Sequence, residues 1–266
     1  MLAELLPLAP SGVEEVDVGA GVVEYAVYGA PGELPALPDL TAAAGSALVE
    51  VHTSEVADDW DQRWRSFHRP LVLGDRLAVR PQWEEAIGAP VEIVIDPGQA
   101  FGTGAHATTR LCLELMLDLA SRERELPSRG PFLDLGCGSG VLAITAARLG
   151  WDPVAAVDYD PASVTAVVDN ARANGVAIEV SRHDLRIDPV AVAPTVAANL
   201  LRPLLLAWAS RLAAAPADVP DTLIASGLLV GEADEIAGAF AGVGLREAAR
   251  RESGEWAALL LERRRT

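Results

Sequence analysis

An aspartate and three glycines lie close together near the middle of the chain, in the segment Asp134-Leu135-Gly136-Cys137-Gly138-Ser139-Gly140. Apolar residues precede this segment, which is typical of a buried strand running into a turn. Glycine lets the backbone approach a ligand closely and adopt turns that other residues avoid. Residues Val141 to Leu149 are predicted to form a helix whose amino end faces that ligand. The segment therefore predicts a strand, a turn and a helix that bind a small ligand.

The glycine spacing distinguishes between two classes of nucleoside ligand. A dinucleotide fingerprint has glycines at its first, third and sixth positions, but the sixth position here is Val141. The close backbone approach that a pyrophosphate requires is therefore missing. Glycines at alternate positions after an acidic strand end favour S-adenosylmethionine, with Asp134, Gly136, Gly138 and Gly140 as its contacts. A methyl-transfer enzyme is the leading interpretation.

Two further aspartates follow predicted strands. Asp158 comes after the apolar residues Val154 to Val157, where nucleotide-binding folds place the carboxylate that accepts hydrogen bonds from ribose hydroxyls. The alternative is a helix cap, although Asp160 before Pro161 offers a better cap. Asp184 follows the third strand and is predicted to contact the adenine amino group, with an ordinary loop aspartate as the alternative.

A second glycine-rich segment runs from Asp96 to Arg110 and leads into a helix predicted over Leu111 to Leu119. Its glycines, threonines and single aromatic residue predict a flap that closes to exclude water, with Thr108 or Thr109 capping the helix and one of them turned towards the ligand. The alternative is a structural loop that Phe101 anchors in the core.

Asn199 follows the fourth predicted strand. Because parallel sheets bind ligands at the carboxyl ends of their strands, its side chain is predicted to face the cleft beside the glycine turn. An amide there would orient an incoming amine without protonating it, so Asn199 is the candidate catalytic residue. The alternative is an Asn that merely tolerates a turn.

Strands and helices alternate from about Pro131 onwards, which predicts a doubly wound, mostly parallel α/β sheet. The last two strands must be antiparallel because only Glu252 to Glu255 separate them. The predicted strands are Phe132-Leu135, Val154-Val157, Ala177-Val180, Thr195-Ala198, Thr222-Ser226, Leu245-Arg250 and Trp256-Glu262. The predicted helices after the glycine turn and Asp158 are Ala162-Asn174, Leu204-Ala214 and Glu232-Ala241.

The start of the chain predicts a separate small α+β domain. Its predicted elements are a helix over Leu2 to Ala9 and strands over Val13-Val18, Val22-Tyr28 and Ala47-Val51, with a hairpin turn at 19–21. We divide the chain into a substrate-recognition domain at 1–56, a linker with a helix at 57–92 and a catalytic domain at 93–266. Trp60 and Trp64 would share one face of the linker helix.

Composition restricts the possible partners and compartment. The chain has 266 residues and a formal net charge of −17, which argues against direct binding to nucleic acid and favours a basic protein partner. The alternative is that the negative charge only keeps the protein soluble. The two cysteines, Cys112 and Cys137, predict neither a disulfide framework nor a metal site. No apolar stretch is long enough to cross a membrane and the start lacks an export signal, so we expect a cytoplasmic protein without membrane contact. We also expect it to act as a monomer.

Taken together, the motifs Phe101-Gly102-Thr103-Gly104-x-His106-x-Thr108-Thr109, Asp134-x-Gly136-Cys137-Gly138-Ser139-Gly140, Asp158 and Asn199-Leu200-Leu201 resemble the bacterial methyltransferases of protein eleven of the large ribosomal subunit. The resemblance extends from about Asp58 to the C-terminus. It implies a class I methyltransferase fold, S-adenosylmethionine as methyl donor, and lysine and N-terminal amines of a basic ribosomal protein as acceptors. It places cofactor contacts at Thr109, Gly136, Asp158 and Asn199, and flap residues at Phe101 and Gly102.

The chain departs from this family in two places. The resemblance implies a ferredoxin-like recognition domain, whereas the first helix starts so early that its opening strand is expected to be missing. Arg202 before Pro203 replaces a small residue near the acceptor. Two alternatives remain open at this stage: an N-methyltransferase of another protein or of RNA, and a catalytically inactive module that binds S-adenosylmethionine.

Overall fold

The computed structural model divides the chain into two compact units, Met1–Trp60 and Asp61–Thr266. It describes residues 13–19, 22–27, 40, 50–51, 70–96, 106–122, 128–188 and 192–263.

The first unit contains the predicted hairpin. Strands β1 (Val13–Gly19) and β2 (Val22–Val27) pair antiparallel, with Val13 opposite Val27. The predicted helix over 2–9 and the predicted linker helix lie outside the described residues. Of the third predicted strand only Glu50 and Val51 are described, and neither belongs to a strand.

The second unit begins with a small sheet that the sequence analysis did not predict. Strands β3 (Leu71–Leu73), β4 (Leu77–Arg80) and β5 (Val91–Val94) pair in that order, β3 antiparallel and β5 parallel to β4. These strands fall in the range assigned to the linker and the start of the catalytic domain. The three-part division of the chain remains a prediction.

The rest of the second unit alternates helices and strands much as predicted. Its helices are α1 (Ala107–Arg122), α2 (Val141–Arg148), α3 (Pro161–Ala173), α4 (Arg202–Ala214) and α5 (Ala233–Ala241). Its strands are β6 (Phe132–Leu135), β7 (Val154–Asp158), β8 (Glu179–Arg182), β9 (Thr195–Asn199), β10 (Thr222–Leu229), β11 (Leu245–Ser253) and β12 (Trp256–Arg263). Short 3₁₀ turns over Pro216–Asp218 and Val230–Glu232 flank β10.

These seven strands form one sheet in the order β11-β12-β10-β9-β6-β7-β8. The pairs from β10 to β8 are parallel, and β12 is antiparallel to both of its neighbours, which confirms the predicted terminal hairpin. The edge strands β8 and β11 carry mostly exposed residues, whereas β6 is buried throughout. No helix among the described residues is long and apolar enough to cross a membrane.

Alternate residues of the central strands feed two separate cores, as strand geometry requires. Phe132 of β6 packs with residues of α1 and α2 on one face, and Leu133 packs with residues of α4 and α5 on the other. The sheet is therefore covered on both faces, as predicted for a doubly wound fold.

One glycine of β10 lies so close to a neighbouring backbone that no side chain would fit there. Gly227 has a φ of +83°, and a Cβ atom there would lie 2.4 Å from the carbonyl oxygen of Leu200. We expect Gly227→Ala to lower the free energy of unfolding by about 2–5 kcal/mol, combining backbone strain with overpacking. Gly244 is a matched control, since its φ is +93° but nothing lies within 4 Å of a Cβ there. Gly244→Ala should cost only the strain, about 1–2 kcal/mol, and equal losses for both variants in denaturant unfolding would contradict this account.

Candidate active site

The candidate site lies at the carboxyl edge of the seven-stranded sheet, where the strand order reverses. Strand β6 has β7 on one side and β9 on the other. The chain therefore adds β7 and β8 on one side of β6 and then returns to add β9 on its other side. Open α/β sheets bind ligands at such a switch point, just beyond the carboxyl ends of the strands. The residues that follow β6, β7 and β9 are those that the sequence analysis selected.

The glycine turn connects β6 to α2 with positive φ angles at all three glycines: 71° at Gly136, 51° at Gly138 and 81° at Gly140. A Cβ at Gly136 would lie 2.3 Å from the Leu200 side chain, and one at Gly140 would lie 2.9 Å from the Val167 side chain. Backbone conformation therefore favours glycine at both positions. At Gly140 the stiff, branched Val167 side chain also leaves no room for a Cβ, whereas at Gly136 the end of the Leu200 side chain would have to shift.

Asp158 ends β7 and is directly linked to this turn. Its Oδ2 accepts a hydrogen bond from the Gly138 amide at 3.0 Å, and its Oδ1 accepts one from the Asp160 amide at 3.0 Å. Each carboxylate oxygen has a second lone pair with which to accept a ligand hydroxyl. The helix-cap role falls to Asp160 as predicted, since its side chain accepts the Ala162 amide at the start of α3.

Asp134 lies beneath the turn. It is 1% exposed, and its Oδ2 accepts a hydrogen bond from the Ala143 amide in the first turn of α2. Burial is the main cause that raises the pKa of this carboxyl from 3.8 to about 7, and the nearby Asp158 charge adds to it. In the structure Asp134 anchors α2 to β6, and its predicted contact with a cofactor remains a prediction.

Because the folded pKa of Asp134 is raised, the native state binds more protons than the unfolded state between about pH 4 and 7. This group therefore makes the protein less stable as the pH rises through that window. Asp134→Asn keeps an oxygen for the Ala143 amide but does not ionise. We expect the variant to gain stability relative to the unmodified protein between about pH 4 and 8, by on the order of 1–4 kcal/mol.

Thermal or denaturant unfolding at the two pH values measures that gain. Asp218→Asn removes the same charge at an exposed position and is the control. A difference in unfolding free energy between Asp134→Asn and the unmodified protein that does not change with pH would contradict a raised pKa at Asp134.

Asn199 ends β9, and its amide Nδ2 lies 3.4 Å from the hydroxyl Oγ1 of Thr109 on α1. Asn199 is only partly buried, whereas Thr109 is 1% exposed. Two residues that were predicted separately are thus adjacent at the same edge of the sheet. The arrangement presents an amide next to the glycine turn, which is suited to accepting a hydrogen bond from an amine.

The start of α1 corrects one prediction. The helix begins at Ala107, four residues before the predicted Leu111, so Thr108 and Thr109 lie within its first turn and do not cap it. The first helical hydrogen bond runs from the Arg110 amide to the His106 carbonyl, which makes His106 the capping position. The Nδ1 atom of the His106 ring also lies 2.8 Å from the hydroxyl oxygen of Thr108.

An aromatic contact at this edge was missed by the sequence analysis. The His106 ring packs edge-on against Trp256, with 4.8 Å between ring centroids. Trp256 begins β12 and pairs with Leu229 at the end of β10, so it lies at the carboxyl edge of the parallel strands. No motif in the sequence marks Trp256, because the antiparallel direction of β12 is what brings its first residue to this edge.

Asp184 lies in the turn after β8, where the sequence analysis placed it. Both of its oxygens pair with the Arg186 guanidinium, at 2.8 and 2.7 Å. This hydrogen bonding lowers the pKa of the carboxyl to about 2. The Asp184 backbone amide donates to Asp188. Its contact with an adenine amino group stays a prediction.

Arg202, the substitution that the sequence analysis placed near the acceptor, is paired on the surface. Its guanidinium binds both oxygens of Glu235 on α5, at 2.6 and 3.0 Å. The flap residues Phe101 and Gly102 lie outside the described residues. Among the residues that the structure describes, no cluster of His, Cys, Asp or Glu could hold a metal ion.

The sheet order, the glycine turn after its first parallel strand and the acidic end of the next strand define a class I S-adenosylmethionine-dependent methyltransferase fold. The family model for ribosomal protein L11 methyltransferase (PrmA) matches residues 36–264. The chain therefore belongs to the ribosomal protein L11 methyltransferase family.

Individual relatives agree with this assignment. The chain is 39% identical over 206 residues to a ribosomal protein L11 methyltransferase of Pelotomaculum thermopropionicum, covering 76% of this chain and 65% of that protein. It is 37% identical over 247 residues to one of Chloroflexus aurantiacus, covering 81% and 73% respectively. The crystal structure of ribosomal protein L11 methylase from Lactobacillus delbrueckii subsp. bulgaricus matches with a TM-score of 0.64 and 30% identity, covering 74% of this chain and all of that one. The chain thus spans slightly less than two thirds of the length of the first of these relatives.

Proposed function

We propose that this chain transfers methyl groups from S-adenosylmethionine to amine groups of ribosomal protein L11. The observation that carries the proposal is the meeting of the glycine turn, Asp158 and Asn199 at the switch point of the sheet. Membership of the L11 methyltransferase family supports the choice of substrate.

The residues at this edge fit the cofactor. Asp158 is 8% exposed as a residue, and its carboxylate is fixed by two backbone amides and can accept hydrogen bonds from ribose hydroxyls. Gly136 and Gly138 present backbone without side chains beside it. We assign Gly136, Gly138, Gly140 and Asp158 to cofactor binding, with Thr109 and Asn199 next to the reacting group.

When bound, S-adenosylmethionine would supply a methyl group activated by a positively charged sulfur. The neutral amine nitrogen forms a bond to the methyl carbon as the carbon–sulfur bond breaks, and S-adenosylhomocysteine leaves. The chain's task is then to hold the amine in line and to exclude water, which can contribute on the order of 7–11 kcal/mol at best. Asn199 orients the amine through its side-chain oxygen. No residue at this edge is required as a base, because the amine can lose its proton to solvent before it enters.

The net charge of −17 supports a basic protein as acceptor over RNA. We assign substrate recognition to the first unit, and lysine side chains and the N-terminal amine of L11 as acceptors. The proposal also has the protein act as a monomer in the cytoplasm, without direct contact with nucleic acid or membrane.

Two experiments test the proposal in turn. Calorimetry first measures binding of S-adenosylmethionine, and labelled methyl transfer then identifies the acceptor. The purified protein is incubated with labelled cofactor and, in separate reactions, with L11, another basic ribosomal protein and ribosomal RNA. Label on L11 is expected. Label on RNA would overturn the partner, absence of cofactor binding would overturn the cofactor assignment, and binding without transfer would favour a non-catalytic module.

The rate of transfer should depend on pH because the amine must be neutral. From a reference amine pKa of about 10.4, the neutral fraction rises about tenfold per pH unit between about pH 6 and 9. We therefore expect the single-turnover rate on L11 to rise steeply over this range. A flat profile would contradict a mechanism in which the free amine is deprotonated by solvent.

A further inference from the structure

Helix α3 contacts the glycine turn with the side chains of its inward face. Val167 packs under Gly140, where a Cβ would approach it to 2.9 Å. One turn further along, Asn170 is 3% exposed, and its Nδ2 donates a hydrogen bond to the carbonyl oxygen of Ser139 at 2.9 Å. The helix thus supports the turn both by packing and by a buried hydrogen bond.

The Ser139–Gly140 peptide that Asn170 contacts joins the turn to α2. The carbonyl of this peptide accepts from Asn170, and its amide, on Gly140, donates to the Cys137 carbonyl at 2.8 Å. The peptide plane is therefore held from both sides. Its orientation sets the path of the backbone between Gly138 and the first residue of α2.

The other arm of the same amide reaches a different segment. Asn170 Oδ1 accepts a hydrogen bond from the backbone amide of Asp96 at 2.9 Å. Asp96 lies just beyond β5 and is the first residue of the glycine-rich segment that the sequence predicts as a flap, as well as the last residue described before His106. A single buried side chain therefore joins the glycine turn to the backbone from which that segment departs.

Asn174, which caps the C-terminal end of α3 four residues after Asn170, makes a comparable link that does not include the glycine turn. Its Oδ1 accepts from the Val94 amide at 2.8 Å, and its Nδ2 donates to the Val94 carbonyl at 2.6 Å. Asn174 therefore fastens β5 to α3 by itself. Attachment of β5 to α3 therefore does not require the contact between Asn170 and Ser139.

We propose that Asn170 is a positioning residue for the cofactor, which fixes the Ser139–Gly140 peptide of the glycine turn and couples it to Asp96. This inference rests on the proposed function, since it assumes that S-adenosylmethionine binds at the turn. A buried amide with both ends hydrogen-bonded suits this role, because loss of either partner leaves a buried polar group unsatisfied.

The substitution Asn170→Asp separates the two arms. A carboxylate can still accept from the Asp96 amide but cannot donate to Ser139, whose carbonyl it would repel. Asn174→Asp is the matched control, because it makes the same change of charge at the C-terminal end of the same helix and Asn174 does not contact the glycine turn. Circular dichroism and thermal unfolding establish that both variants are folded.

Calorimetry then compares the Kd of S-adenosylmethionine and of S-adenosylhomocysteine. We expect Asn170→Asp to raise both values by about tenfold, the scale of one buried hydrogen bond, and Asn174→Asp to leave them within about twofold of the unmodified protein. Equal weakening of the two ligands separates positioning from an electrostatic effect, because only the first carries a sulfonium charge. Unchanged affinity for Asn170→Asp, or an equal loss for Asn174→Asp, would overturn the inference.

A second measurement keeps the inference testable if Asn170→Asp does not fold. In the unmodified protein, S-adenosylhomocysteine should slow hydrogen exchange of the Asp96 amide, while the turn at 74–76 of the same small sheet should exchange at the same rate. Exchange at Asp96 that does not respond to ligand would overturn the coupling. If the unmodified protein binds neither ligand, the proposed function fails. If the unmodified protein binds both ligands and Asn170→Asp binds them equally well, only the inference about Asn170 fails.

Discussion

Asp158→Ala is expected to weaken S-adenosylmethionine binding by about 10- to 100-fold, the scale of losing a charge-assisted hydrogen bond. Two causes act together. The substitution removes the carboxylate proposed to accept from the ribose hydroxyls, and it frees the Gly138 amide that this carboxylate holds at 3.0 Å. Calorimetry with S-adenosylmethionine measures the loss.

Asp160→Ala is the control, since Asp160 lies two residues away and caps α3 through the Ala162 amide. Its removal should cost about 1 kcal/mol of stability while the cofactor Kd stays within about twofold. Asp158→Asn should fall between Asp158→Ala and the unmodified protein, because it keeps one acceptor oxygen. Unchanged affinity for Asp158→Ala would remove the carboxylate from the cofactor site.

Asn199→Ala is expected to lower the single-turnover rate of methyl transfer by about 100-fold, the cost of misplacing a reactant by on the order of 1 Å. Cofactor affinity should fall by no more than roughly fivefold, since only a neutral hydrogen bond is lost. The reason for this difference is position: Asn199 lies at the end of β9, beside Thr109 and away from the ribose side at β7. Quenched-flow transfer to L11 at saturating cofactor measures the rate.

Ser226→Ala tests whether that effect is specific to Asn199. Ser226 is the register partner of Asn199 on β10, and its hydroxyl donates to the Ala257 carbonyl inside the sheet. Its removal should reduce stability and leave the transfer rate within about threefold. A loss of rate in Ser226→Ala as large as that in Asn199→Ala would mean that the edge of the sheet, and not the amide, sets the rate.

The central part of the fold could be predicted from the sequence because its signals are local. Strand β6 is a mostly apolar segment followed by glycines, and α3 begins at Pro161 with Asp160 as its cap, so pattern and capping chemistry agree there. The strand of β8 was predicted over 177–180 but lies over 179–182. At an exposed edge little burial pattern is available to fix its register.

The remaining features depend on contacts that are distant in sequence. Strands β3 to β5 are three or four residues long, too short to show a periodic pattern. An Asn within a helix is usually interpreted as solvent-facing, yet Asn170 is buried. Local sequence does not reveal this, because Asp96, whose amide donates to Asn170, lies 74 residues away. Trp256 reaches the site only through the antiparallel direction of β12. Such placements follow from topology, which the local sequence does not encode.

The site residues followed the same division. Asp158 and Asn199 were predicted because each directly follows an apolar strand, and parallel strands bring such residues to one edge. The role of Asp134 as an anchor for α2 was not predicted, since the motif shows an acidic residue but not the Ala143 amide that it accepts.

Methylation of ribosomal protein L11 by this chain is tested most directly by intact-mass analysis of ribosomal proteins. L11 would be purified from cells that carry the gene and from cells that lack it. We expect L11 from the first cells to be heavier by whole methyl groups and L11 from the second to be unmodified. Equal L11 masses in both, or a methyl difference on another ribosomal protein alone, would contradict it.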